Sequence, residues 1–182
     1  RRVHLFITHT HWDHIQGFPF FKPAYVPGFE IVIHAAHNVE WDMEGIFRGQ
    51  LDRAYFPVQM EDMQAELTFV DLPDEAVQIG DMKITWEYAL HPGSAVGYRI
   101  DVGERGVVFI PDNECLKGYL GDPAATERDD EHLSSHGEQL QLMEGAELLI
   151  HEAQYTQAEY AKKIGWGHSS VGNACALVRQ SD

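Results

Sequence analysis

Short apolar runs alternate with polar stretches punctuated by Gly, Pro and Asp along this chain. Such alternation predicts strands and helices in turn. The runs at residues 3–8, 30–35, 67–72, 83–90 and 148–151 read as strands. Residues 95–102 and 106–110 flank Gly103-Glu104-Arg105 and predict a hairpin. Between the strands, Asn38 can cap a helix reaching about residue 50. Residues 135–145 set Leu140 and Met143 on one helical face, with Gly145 as a stop. Thr156 and Glu159 form a capping box for a helix ending near Gly165. Ser169 or Ser170 can cap a last helix through residue 179. Residues 117–134 are rich in Asp, Gly and Glu and read as a surface loop, and no internal repeat or low-complexity tract interrupts the pattern.

A chain of 182 residues, 44% hydrophobic and 23% charged, is sufficient for one α/β domain spanning residues 1–182. No apolar run approaches the length of a membrane span. Cys115 and Cys175 have no metal-type spacing. They are read as free thiols, buried or half-buried, in a reducing and hence cytoplasmic compartment. The charge balance excludes more: 13 Lys and Arg against 29 Asp and Glu leave a net charge of −16. Phosphate contacts need cations, so this surface argues against a nucleic-acid polymer as partner. Eleven histidines direct attention to metals.

The strongest chemical signal is His9-Thr10-His11-Trp12-Asp13-His14, between a predicted strand and a helix expected near Ile15. Alternate residues of an extended segment project to one side, so His9 and His11 can grip one metal together. Asp13 and His14, just past the turn, can reach a second. Three imidazoles and a carboxylate suit Zn²⁺, Mn²⁺ or Fe²⁺. His91, before the turn Pro92-Gly93, and Asp112, after Pro111, each stand where a strand meets a loop, where site residues concentrate. Asp112 is suited to bridging two metals. In Gly165-Trp166-Gly167-His168-Ser169-Ser170, His168 stands directly before a predicted helix start, where anions are favoured. Glu152, after the short strand, is the candidate to orient it. His4, His34, His37, His132, His136 and His151 are read as structural, with His151 as a hydrogen-bonded core residue.

Together these residues resemble the metallo-β-lactamase superfamily. The segment from His9 to His14 matches its HxHxDH signature, His91 the next ligand position and Asp112 the bridging carboxylate. The segments that begin His91-Pro-Gly-Ser-Ala-Val-Gly-Tyr-Arg, Leu149-Ile-His-Glu-Ala-Gln-Tyr-Thr and Gly167-His-Ser-Ser are similar to the branch of ribonuclease Z and cyclic-nucleotide phosphodiesterase-like proteins. The resemblance implies a four-layer αββα sandwich. It also implies two divalent metal ions, Zn or Mn with Fe as a further choice, and a bridging hydroxide that attacks phosphorus. Asp13, His168 and Glu152 are the implied catalytic residues. A small phosphodiester such as a cyclic nucleotide is the expected substrate, and a homodimer is kept open. A tRNA-processing nuclease, a lactone, ester or β-lactam hydrolase, and a degenerate metal-binding fragment are the alternatives. Few residues precede the first motif and no His follows His168. The fold is therefore expected to be incomplete at both ends, and the second metal to be the weaker one.

Overall fold

The computed structural model describes residues 1–37, 42–127 and 131–181. The chain divides into two compact units, Arg1–Pro73 and Asp74–Asp182.

In the first unit, β1 (Arg2–Ile7) leads into the short helix α1 (Trp12–Ile15) and then two 3-10 turns. β2 (Glu30–Ala35), α2 (Met43–Gln50) and β3 (Glu66–Asp71) follow. The three strands form one parallel sheet in the order β1-β2-β3. Parallel strands need crossover connections, and the two helices supply them. Alternation then sorts the side chains: Val3, Leu5, Ile7, Ile31, Ile33, Leu67 and Phe69 pack with Ile15, Phe18, Phe47 and Leu51. On β1 and β2, His4 and His34 belong to the opposite side-chain set and meet through His4 Nδ1 and His34 Nε2 at 2.9 Å. The expected cap Asn38 lies outside the described residues. Asp42 caps α2 instead, accepting from the Gly45 amide at 2.5 Å.

The second unit is a five-stranded sheet in the order β4-β5-β6-β7-β8: β4 (Val77–Ile79), β5 (Met82–Tyr88), β6 (Val96–Val102), β7 (Arg105–Ile110) and β8 (Leu148–His151). The expected hairpin joins β6 to β7, with Gly103 at φ 61° and Val102 opposite Arg105. A second hairpin, β4 to β5, turns at Gly80 and Asp81; its first strand was not expected, because three residues are too few to show an alternation. β7 and β8 run parallel, and the long connection between them carries α3 (Glu131–Ser134) and α4 (Gly137–Met143). After β8 come α5 (Gln157–Tyr160) and α6 (Val171–Val178). Val108, Ile110, Leu116, Leu133, Leu142, Ala176 and Leu177 form the core.

Three expectations need correction. The stretch 117–134 is not simply a surface loop: Leu133 and Thr126 are buried, and α3 begins within it. Its polar composition hid one apolar anchor. The capping box of Thr156 and Glu159 is present, but α5 is a single turn, followed by hydrogen-bonded turns closed by the Lys163 and Trp166 amides, with Gly165 inside the second at φ 85°. Both cysteines are free thiols; Cys115 is fully buried, yet Cys175 is exposed on α6. Among the described residues, no helix is long and apolar enough to cross a membrane.

Candidate functional site

In the first unit, β1 ends at Ile7 and delivers the buried Thr8 and His9 at its carboxyl end. Ligands of parallel sheets characteristically sit at that end. α1 opens at Trp12, earlier than expected, with the His14 amide bonded to the His11 carbonyl at 3.0 Å. Asp13 and His14 therefore belong to the helical turn itself. That turn folds the motif back on itself. The His9 ring lies 4.6 Å from that of His11 and 4.1 Å from that of His14, centroid to centroid. His14 Nε2 stands 3.4 Å from Asp13 Oδ2. His11 and Asp13 are exposed.

In the second unit, topology does the gathering. β5 is antiparallel to β6, and β6 to β7, so β5 and β7 point the same way, as does β8. The residues following these three strands emerge at one edge of the sheet: His91 after β5, Asp112 after β7, Glu152 after β8. His91 Nε2 is 3.5 Å from Asp112 Oδ2, with both side chains largely buried. The His168 ring stands 5.0 Å from that of His91, edge to face. Glu152 Oε2 is 4.0 Å from His168 Nδ1, an ion-pair distance and too long for a hydrogen bond. Burial pushes the Glu152 carboxyl above the usual range, opposed by bonds from the Ser169 and Gln154 amides. α6 begins at Val171 with Ser170 as its cap, so His168 stands further from the helix start than expected. The Ser169 amide is committed to Glu152 Oε1 at 2.5 Å.

Sequence reasoning missed what backs these groups. Asn113 and Glu114, next to Asp112, are fully buried. Asn113 Oδ1 accepts from the Leu90 amide, while its Nδ2 donates to Gln139 Oε1 and His151 Nε2. His151 Nδ1 donates to the Glu152 carbonyl at 2.6 Å, which makes it the hydrogen-bonded histidine expected. Ser169 Oγ donates to the Asn113 carbonyl and accepts from the Cys115 amide. A polar run after a strand end reads as a surface turn; nothing local reveals its burial.

Both units assemble imidazole nitrogens with carboxylate oxygens and bring no Lys or Arg into these groups among the contacts described above. That donor chemistry fits a divalent transition-metal ion.

Comparison with known proteins bears on these groups. Ribonuclease BN of Escherichia coli O81 (strain ED1a) is 24% identical over 214 residues, covering 97% of this chain and 66% of that protein. The metallo-β-lactamase fold protein YhfI from Bacillus subtilis superposes with a TM-score of 0.61 at 20% identity, covering 98% of this chain and 60% of its own. The short form of human tRNase Z gives 0.63 at 17% identity, with 98% and 68% covered. These likenesses show the metallo-β-lactamase fold, the α/β class expected from the sequence. The model of the beta-lactamase superfamily domain matches residues 2–182, and the chain belongs to that superfamily.

Proposed function

We propose that the chain carries the metal centre of a hydrolase that cleaves a small phosphodiester, such as a cyclic nucleotide. His9, His11, His91 and Asp112 hold one divalent ion, Zn or Mn, and Asp13, His14 and Asp112 hold a second. When bound, the ions lower the pKa of a water molecule and neutralise charge on the phosphoryl oxygens. Asp13, exposed in the first turn of α1, takes up a proton released by the nucleophile. Glu152 faces His168 at Nδ1, which favours a proton on that nitrogen and turns Nε2 to the departing oxygen. His91 Nε2 and Asp112 Oδ2, 3.5 Å apart, would both face that first ion as donors.

The observation that carries this reading is the placement of His168 and Glu152 beside the His91–Asp112 pair. A protonatable group next to the proposed ligands is what expulsion of an alkoxide requires. The ribonuclease names of two of the relatives support chemistry at phosphorus. They also favour a second reading, cleavage of an RNA. The net charge of −16 stands against a polyanionic polymer and for a small substrate.

The test is a metal count followed by a substrate panel: bis-p-nitrophenyl phosphate, a cyclic nucleotide, a precursor tRNA, nitrocefin and a lactone. Metal-dependent turnover of the first two is expected. Turnover of nitrocefin or the lactone alone overturns the reading, and turnover of the tRNA alone replaces the small substrate with RNA.

A further inference from the structure

Glu114 is charged, only 1% exposed, and two positions from the proposed ligand Asp112. A buried carboxylate is costly unless each oxygen is satisfied. Here Oε1 accepts from the Tyr160 hydroxyl at 2.9 Å and the Gly165 amide at 2.8 Å, and Oε2 accepts from the Gly167 amide at 3.0 Å. Tyr160 in turn accepts from the Gly118 amide, so its own proton goes to Glu114. All three partners are donors, and the carboxyl group accepts from them on both oxygens. Gly165 and Gly167 have φ of 85° and 83°, and their amides converge on an anion as in a backbone nest. The anion is the protein's own.

That loop reaches the candidate site through one atom. The Gly167 carbonyl lies 2.7 Å from His91 Nδ1. A carbonyl can only accept, so Nδ1 carries a proton, and in the neutral ring the lone pair is then on Nε2, the nitrogen facing Asp112. The fit is close: a Cβ on Gly167 would stand 2.4 Å from His91 Nδ1 and 2.3 Å from Pro92 Cδ. The Glu114 amide also bonds the Leu90 carbonyl at 2.8 Å, directly before His91. Backbone and side chain of one residue thus hold both sides of the His91–Gly167 contact.

We infer that Glu114 is a positioning residue: by holding Gly165 and Gly167 it fixes the tautomer of His91 for metal ligation and sets His168 beside it. The inference rests on the metal reading above for the role of His91, but the tautomer can be observed without metal. Replacing Glu114 by Gln keeps the shape and leaves one oxygen to accept; its amide group must then face a donor. Long-range ¹H–¹⁵N spectra of the metal-free chain, with His91 assigned from His91→Gln, report which ring nitrogen is protonated. Wild type is expected to show the Nδ1–H form and Glu114→Gln a mixture of both. Zn²⁺ affinity of Glu114→Gln is expected to fall about 10- to 100-fold, the scale of losing a group that orients a ligand. Tyr160→Phe, which keeps both glycine bonds, serves as the structural control: its His91 tautomer and zinc affinity should stay near wild type. An unchanged tautomer in Glu114→Gln, or equal losses in the two variants, overturns the inference. If wild type binds no zinc, the metal reading falls, while the tautomer comparison still decides the role of Glu114. Should Glu114→Gln not fold, amide exchange of wild type decides: Gly165 and Gly167 protected as strongly as β7 supports the inference, and exchange at the rate of an open loop overturns it.

Discussion

Gly167 shows how much one missing side chain contributes. Its φ of 83° already disfavours any L-residue, by about 1–2 kcal/mol. Gly145 has a similar φ, 65°, but open space where a Cβ would stand, whereas a Cβ on Gly167 would overlap His91 and Pro92. Gly145→Ala should therefore cost about the backbone term alone, and Gly167→Ala distinctly more, with His91 displaced. Urea denaturation of both checks the order, and equal costs would refute the crowding argument. His168→Ala should leave metal content near wild type and lower kcat on a phosphodiester by about 10²-fold or more. A p-nitrophenolate leaving group needs little protonation, so the defect should shrink for it and grow for an alkoxide. Equal defects would leave charge stabilisation as the role. The candidate site residues His9, His11, Asp13, His14, His91, Asp112 and His168 stood out in the sequence because they are unusual in type and spacing. Asn113 and Glu114 were not, because what buries them comes from afar: Tyr160 and Gly167 lie 46 and 53 positions from Glu114.

Among elements, α6 and α5 begin alike but carry different weight. The Ser170 hydroxyl accepts from the Asn173 amide and donates to Gln157, and the helix behind it buries Ala176 and Leu177. Thr156 caps a single turn through the Glu159 amide, and that turn buries Tyr160 alone. Ser170→Ala should cost about 1–2 kcal/mol and Thr156→Ala about 1 or less, measured by thermal melts. The reverse order would mean that capping of α5 matters more than its length suggests. Cap residues and hairpin turns were readable from sequence because their chemistry is local. The extents of the single-turn helices α1 and α5, and the presence of α3 and the strand β4, were not, these elements being too short to show a period and held by partners far along the chain.

For the whole molecule, three histidines set a pH response. Burial holds His34, His136 and His151 below the ordinary 6.5, with His4 beside His34 adding to the effect. His136 and His151 are bonded as neutral rings, each donating from Nδ1 to an oxygen and accepting at Nε2. The folded chain thus binds fewer protons than the unfolded chain below pH 6.5. Their stabilisation is complete above that pH and is lost as the pH falls from 6.5 through the folded values. The Tm of the metal-free chain should drop between pH 7.5 and 5, and His136→Gln should flatten the slope. A variant slope equal to wild type would exclude His136 as a source. Seven of the eight described strands, all but β4, and most of their bounds were legible in the sequence. Their pairing was not: alternation reveals which residues share a face, but not that β8 joins β7 in parallel across a connection carrying two helices.

The two cysteines, finally, make the second unit its own clock. Cys175 lies open on α6, whereas burial pushes the Cys115 thiol up to about 12 and closes it from solvent. Thiolate is the reactive species, so a pulse of maleimide should modify one thiol at once and the other only when the core around Leu116 and Leu177 opens. The slow rate, followed by intact mass, then reads the opening frequency of that core directly. Two fast thiols would mean that the core around Cys115 opens as quickly as the surface reacts.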